Sequence, residues 1–222
     1  ARPVSLDAAA LRTHGVVIGP TGVGKTQALE RVIYAVTGAP AARELHLPAV
    51  VVDMKADPGL AATLAAIATQ TGRQFHHVTA DATGTSYNPL AGLTADEMSD
   101  ALYETLFAAD KSLNMHYATL SRRLLQQACR VCIDLADARV ARVGGGTWTI
   151  GLADVAELLS INTLRSVKPF VSPSVAASLT QYLDDLDASK NEGDVGDVRD
   201  RVAVIVDTAA GDILDATGFT ME

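Results

Sequence analysis

One eight-residue stretch constrains the fold of this chain more than any other part of its sequence. It consists of Gly19, Pro20, Thr21, Gly22, Val23, Gly24, Lys25 and Thr26. The stretch matches G-x-x-x-x-G-K-[ST], the P-loop or Walker A pattern, which binds nucleoside triphosphates when it follows a strand and opens a helix. The apolar run at residues 14–18 predicts that strand, and the apolar spacing of residues 26–36 predicts that helix. The sequence therefore predicts a phosphate-binding loop.

The residue types of this loop suit ATP and Mg²⁺. Its glycines let the backbone direct N–H groups at phosphate oxygens, and the following helix adds a favourable dipole. We expect Lys25 to reach the β- and γ-phosphates as the catalytic lysine, and the Thr26 hydroxyl to bind the metal. Residues 53–57 have a weak likeness to the guanine-reading pattern Asn-Lys-x-Asp, but Met54 lacks the side-chain amide. ATP with Mg²⁺ is therefore the expected cofactor pair.

Two further apolar segments extend the strand–helix pattern. Residues 49–53 contain a continuous β-branched run at 50–52, which is typical of a buried parallel strand, and residues 74–79 predict a third strand. A helix is expected between them at residues 60–71. Strand, helix, strand, helix and strand make a βαβαβ unit, which builds a parallel sheet with right-handed crossovers. The patterning therefore predicts an α/β fold with a parallel sheet.

The pattern changes after residue 93. Thr94 followed by Glu97 is a capping box and predicts a helix that ends near residue 108. Apolar spacing predicts further helices at residues 113–140, 154–160 and 174–186. We therefore expect three parts: the first portion of a nucleotide-binding core at 1–93, a large all-helical insertion at 94–190, and an acidic return segment at 191–222.

Charge is distributed unevenly along the chain. Residues 181–222 carry 3 basic and 11 acidic groups, which equals the net charge of −8, whereas residues 111–142 carry 6 basic and 2 acidic groups. The overall charge disfavours long-range attraction to a polyanion, yet the positive stretch leaves phosphate contact open. The longest apolar stretches, such as 202–206, are far shorter than the ~20 residues that span a bilayer. We therefore expect a fragment that does not itself cross a membrane.

ATP hydrolysis also requires an acidic residue at the end of a strand beside the P-loop. Two apolar runs end in aspartate, at Asp53 and Asp207. The apolar period of residues 198–213 favours a helix over a strand at 202–207, although the strand stays open. The chain opens on Ala1 without a methionine and ends at Glu222, so we expect a piece of a longer protein with its catalytic carboxylate beyond Glu222.

Two phrases of the sequence carry a family resemblance. The segment Asp53–Met54–Lys55 follows the P-loop helix, and Ser86-Tyr87-Asn88-Pro89-Leu90 precedes the expected helices. In this layout the chain resembles the HerA/FtsK superfamily of DNA-translocating ATPases, and most of all the type IV secretion coupling proteins, the TraD/TraG-like conjugation ATPases. Met54 departs from the proline that this family carries between its aspartate and lysine. The resemblance covers residues 14–142 by motif and the rest by layout.

The resemblance implies a RecA-like P-loop core with a helical cap, assembled as a homo-hexamer around DNA. It implies ATP-driven DNA transfer, with relaxase or secretion-channel proteins as partners, in the cytoplasmic domain of an inner-membrane-associated protein. In that family the hydrolysis carboxylates and the arginine finger follow the helical insertion. The alternative is a P-loop ATPase switch or phosphotransferase without nucleic acid, or a secretion ATPase that moves protein substrates.

Several other residues have a structural and a functional interpretation. Cys129 and Cys132 have metal or redox spacing, but no second cysteine pair exists, so we expect two small core side chains. His76 and His77 would point to opposite faces of a strand and could not share a metal. Trp148 is expected to pack in the helical part, with base stacking left open. Phosphate contact or a solvated face is open for five arginines of the long helix: Arg122, Arg123, Arg130, Arg139 and Arg142.

Overall fold

A computed structural model describes residues 24–37, 49–53, 55–107, 115–142, 148–189, 196–214 and 217–220. The chain divides into two compact units, Ala1–Phe75 and His76–Glu222. The first unit contains helix α1, Lys25–Thr37, and helix α2, Pro58–Thr71. The second contains helices α3 to α9, here called the helical block, which span Ala95–Phe107, Met115–Arg142, Leu152–Leu158, Ile161–Val167, Pro173–Ser189, Gly196–Val206 and Ala209–Ile213.

The prediction of a parallel sheet is wrong. Helices make up 71% of the described residues, and these residues contain no β-strand, so the α/β fold with a RecA-like P-loop core is not observed. Residues 49–53 and 74–79 lack strand pairing, and Val50 and Val52 are 70% and 80% exposed. A strand needs hydrogen bonds from neighbouring strands, and an apolar run does not specify those neighbours. The expected strand at 14–18 lies outside the described residues.

The two helices of the first unit occur where the sequence predicts them. Helix α2 begins after Asp57, whose Oδ1 accepts a hydrogen bond from Gly59 N at 2.8 Å, and Pro58 occupies its first turn. It ends at Gly72, which has the left-handed φ of 69° that favours glycine at this position. Helix α1 packs against α2, and Arg73 Nε donates to Thr37 O at 2.9 Å. Local signals therefore account for both helix positions.

Helix α4 forms the centre of the helical block. It packs against α3, α5, α7 and α8. The apolar face predicted for the long helix is the buried one, because Leu124, Ala128 and Val131 are fully buried and Leu120 nearly so. The neighbouring helices add side chains that are fully excluded from solvent: Val155, Leu164, Leu179, Val198 and Val202. The core of the second unit is thus built around one central helix.

Polar groups fix the ends of the block's helices. Thr94 N donates to Glu97 Oε2 at 2.9 Å and Glu97 N donates to Thr94 Oγ1 at 3.4 Å, which confirms the predicted capping box of α3. The hydrogen bonds that Thr94 N and then the Thr94 hydroxyl donate to the Glu97 carboxylate lower the pKa of Glu97. Ser172 N donates to Asp134 Oδ2 at 2.7 Å and ties the start of α7 to α4. Residues 148–150 have no strand pairing.

Candidate nucleotide-binding site

The described part of the P-loop motif begins at Gly24. Residues 19–23 lie outside the described residues, whereas Gly24, Lys25 and Thr26 are described. Gly24 has a φ of 82°, in the left-handed region where a Cβ is disfavoured, and its carbonyl accepts the first helical hydrogen bond from Ala28 N at 3.0 Å. Helix α1 starts at the next residue, Lys25. The motif's last glycine thus makes the turn from which the helix begins.

The first turn of α1 suits a phosphate group. Backbone N–H groups at a helix N-terminus point along the axis toward a ligand, and the helix dipole is positive at this end. The first turn of α1 contains no acidic side chain that would repel an anion. Lys25 is half-buried and Thr26 is exposed. Lys25 adds an ammonium and Thr26 a hydroxyl, which are the groups that phosphate and Mg²⁺ require.

Asp53 organises the loop that precedes α2. Its Oδ1 accepts from Lys55 N at 3.0 Å, and its Oδ2 accepts from Asp57 N at 2.6 Å. The hydrogen bond from Asp57, followed by that from Lys55, lowers the pKa of Asp53. The Asp-x-Lys phrase is therefore a tight turn around an ionised carboxylate, and Met54 lies outside the described residues. The sequence predicts Asp53 at the end of a strand, whereas in the structure its carboxylate accepts backbone hydrogen bonds within a loop.

Asp207 does not follow a strand. Helix α8 spans Gly196–Val206, and Asp207 N donates to Ala203 O at 2.8 Å in its last turn. The helical interpretation of residues 202–207 is thereby confirmed. Val198 and Val202 face the core of the block, as their 3.6-residue period predicts. Neither apolar run that ends in aspartate therefore forms the strand that a hydrolysis carboxylate requires.

Asn88, in the Asn-Pro-Leu phrase, is a structural anchor. Its side chain is buried, its Oδ1 accepts from Leu90 N at 2.9 Å, and its Nδ2 donates to Ile150 O at 3.0 Å. One amide thus holds the turn before α3 and the segment before α5. A buried amide needs such partners because an unsatisfied polar group is costly in the interior. The phrase that carries the resemblance therefore contributes packing within the second unit.

Most of the described arginines on α4 form ion pairs with neighbouring helices. Arg122 pairs with Asp100 at 2.5 Å, and Arg130 with Asp96 at 3.1 Å, both on α3. Arg123 pairs with Asp185 of α7 at 2.8 Å. The side chain of Arg142 lies outside what the structure describes. Because three guanidinium groups already face carboxylates, the positive stretch at residues 111–142 is largely compensated by acids that are distant in sequence.

Trp148 contacts the long helix α4, and its role in base stacking stays a prediction. Its side chain is 42% exposed, and the guanidinium of Arg139 lies 3.7 Å from its ring centroid. This distance is typical of a cation–π contact. Trp148 therefore packs against α4 with one part of its ring while the rest remains accessible to solvent.

The two cysteines are core side chains, as expected. Cys129 and Cys132 are buried in α4, and burial raises the pKa of each thiol to about 12. The thiols are thus held as protonated, unreactive groups.

The ring of His76 stacks on Phe219, a contact that nothing in the local pattern around residue 76 indicates. No group of three or more potential metal ligands occurs among the described residues.

None of the described helices combines the length and the apolar character needed to cross a membrane.

Comparison with protein-family models, with curated proteins and with solved structures gives no significant match to this chain. The functional assignment therefore depends on the motif residues and on the geometry around them.

Proposed function

We propose that this chain binds ATP with Mg²⁺ through residues 19–26. The observation that supports this most is the start of α1 at Lys25, directly after Gly24 in the left-handed conformation. A Walker A motif needs this order, because the turn aims backbone N–H groups and the helix dipole at the phosphates. Lys25 then neutralises charge on the β- and γ-phosphates, and Thr26 binds the metal through its hydroxyl.

Isothermal titration calorimetry with ATP and Mg²⁺ tests this proposal. We expect Lys25→Ala to abolish measurable binding, since the triphosphate loses the ammonium of its loop. Arg31→Ala is the matched control, because Arg31 is an exposed cation on the same helix and outside the motif. Unchanged ATP affinity in Lys25→Ala, or equal loss in Arg31→Ala, contradicts the assignment.

We further infer that the chain is the ATP-binding part of a hexameric DNA-translocating ATPase, a coupling protein of conjugation or type IV secretion. Support comes from the P-loop together with Asp53, Lys55 and the phrase at residues 86–90. Relaxase or secretion-channel proteins are the proposed partners, and the proposed location is the cytoplasmic side of an inner membrane.

Hydrolysis by this chain alone is expected at trace rates at most. Asp53 caps a loop and Asp207 ends a helix, so neither has the strand-end position of a water-orienting carboxylate. Phosphate release measured under steady-state conditions checks this expectation. Steady turnover that Asp207→Ala abolishes contradicts it.

The ion pairs of α4 favour a second candidate, a P-loop ATPase switch or phosphotransferase without nucleic acid. Arg122, Arg123 and Arg130 face carboxylates, which reduces the charge that they offer to DNA phosphates. DNA-stimulated ATP hydrolysis by the hexamer supports the motor. Transfer of phosphate to a small acceptor, with no effect of DNA, supports the second candidate.

A DNA-binding assay on the proposed hexamer also distinguishes the DNA-translocating motor from the second candidate. Arg122→Gln with Arg123→Gln removes both positive charges without placing glutamates against Asp100 and Asp185. If the block contacts the DNA backbone, this pair weakens binding equally for all sequences and lowers the dependence of log affinity on log salt by about 0.7 to 0.9 per lost phosphate contact. An unchanged salt slope removes α4 from the DNA-binding surface.

A further inference from the structure

Two segments that are distant in sequence meet side by side in the second unit. Phe219 N donates to Ser86 O at 3.0 Å, and Asn88 N donates to Phe219 O at 3.0 Å, which makes a parallel bridge between Tyr87 and Phe219. Tyr87 N donates to Ile213 O at 2.7 Å. We call residues 86–88 with 218–219 the junction. It binds the chain that leads into the helical block to the chain that leaves it.

One aromatic ring joins three parts of the junction region. The Phe219 ring stacks on His76 with 4.0 Å between centroids and 15° between planes. It also tilts against Tyr87, with 5.2 Å between centroids. Both centroid distances are near or within the range of favourable aromatic pairs. Phe219 therefore packs against two residues, His76 and Tyr87, that both precede the helical block.

The junction has a steric requirement that is independent of this ring. A Cβ on Gly218 would lie 2.6 Å from Tyr87 N and 2.7 Å from Ser86 C. Side-chain carbons do not approach backbone atoms this closely, so the two segments fit together only because residue 218 has no side chain. An added methyl group at this position must push the segments apart.

The two aromatic rings of the junction, Tyr87 and Phe219, lie outside the main core. Tyr87 and Phe219 are half-buried, whereas Leu124 and Val131 at the centre of the block are fully buried. Segments with few buried contacts open at lower free energy than the core of the same unit. The junction thus has the properties of a local element that opens without global unfolding.

We propose that the junction is a latch. Docking of Phe219 between His76 and Tyr87 holds residues 217–220, which follow α9, against residues 86–88. Release of the ring frees this segment while α9 and the core around α4 stay folded. The helical block then has one conformational element that switches independently of its core.

Hydrogen exchange of the 222-residue chain tests the latch. Phe219→Ala is expected to speed exchange of the Asn88 amide by about tenfold or more, because this amide donates to the carbonyl of residue 219. Gly218→Ala is expected to act in the same direction while it keeps every ring. Amides of Leu124 and Val131 are expected to exchange at their original rates in both variants.

Two controls keep the test specific. Phe219→Tyr retains the ring and is expected to exchange like the original chain. Phe170→Ala removes a ring outside the junction that is 62% exposed, and it is expected to leave exchange at Asn88 unchanged. Unchanged exchange at Asn88 in both Phe219→Ala and Gly218→Ala overturns the proposal. Equal loss of protection at Leu124 also overturns it, since the ring would then belong to the core.

Discussion

The two compact units differ in how their apolar side chains are used. Among the described residues of the first unit, Leu60 and Ala68 are the buried apolar ones, and Val50 and Val52 are mostly exposed. The second unit buries a continuous cluster around α4. A helix therefore buries its apolar face where several other helices pack against it, as α3, α5, α7 and α8 pack against α4. An extended apolar run has no such local partner and gains no burial from its composition alone.

Truncating a side chain at the centre of the block is expected to destabilise the protein most. Leu124→Ala removes a fully buried side chain of α4 and is expected to lower the free energy of unfolding by about 2–5 kcal/mol. Trp148 is the only tryptophan, so its fluorescence during denaturant unfolding reports on the block. Leu60→Ala in α2 is the matched substitution in the first unit, and we expect it to leave the Trp148 transition unchanged. A shift of the Trp148 unfolding transition by the same amount in both variants would contradict the proposed difference between the two units.

The next largest effect concerns the buried anchor of the block. Asn88→Ala leaves Leu90 N and Ile150 O without their side-chain partner and is expected to cost about 1–3 kcal/mol. Asn162→Ala is the control, because Asn162 is an exposed residue of α6. Thermal unfolding followed by Trp148 fluorescence measures both. An Asn88→Ala variant as stable as the Asn162→Ala variant would show that the anchor contributes nothing.

A smaller effect is expected at the start of α3. Thr94→Ala removes the cap and is expected to cost about 1 kcal/mol at pH 7. Thr105→Ala is the same substitution inside α3, where alanine is the better helix former, so it should be neutral or slightly stabilising. Chemical denaturation of both variants gives the comparison, and equal destabilisation would argue against the cap.

The same cap predicts a pH dependence. Hydrogen bonds from the backbone and then the hydroxyl of Thr94 lower the pKa of Glu97 below 4.5. A carboxyl with a lowered folded-state pKa stabilises the fold fully above its unfolded pKa, and this contribution is lost as the pH falls through the folded value. The stability difference between the original chain and Thr94→Ala should therefore shrink below pH 4.5. A difference that stays constant down to pH 2 contradicts this account.

The sequence predicts the helices much better than the remaining architecture. The 3.6-residue period of Leu124, Ala128 and Val131, the capping pair Thr94 and Glu97, and the Gly72 end signal are all local, and each is found in the structure. The strand predictions at 49–53 and 74–79 were wrong, because strand pairing depends on distant partners that an apolar run does not identify.

The sequence predicted only those features of the candidate site that depend on neighbouring residues in the chain. The turn at Gly24 and the helix start at Lys25 follow from the P-loop pattern itself. The carboxylate partners of the α4 arginines and the contact of Phe219 with His76 join residues far apart in sequence. No local pattern encodes such tertiary contacts, so sequence reasoning left the arginines open between phosphate contact and a solvated face.

We propose that nucleotide binds to the first unit, whereas the helical block folds around its own core. Hydrogen exchange of the 222-residue chain with and without ATP and Mg²⁺ tests it most directly. We predict slower exchange in peptides that cover residues 19–30, with the α4 amides unchanged. No change at residues 19–30, or slowed exchange confined to the helical block, would contradict the account.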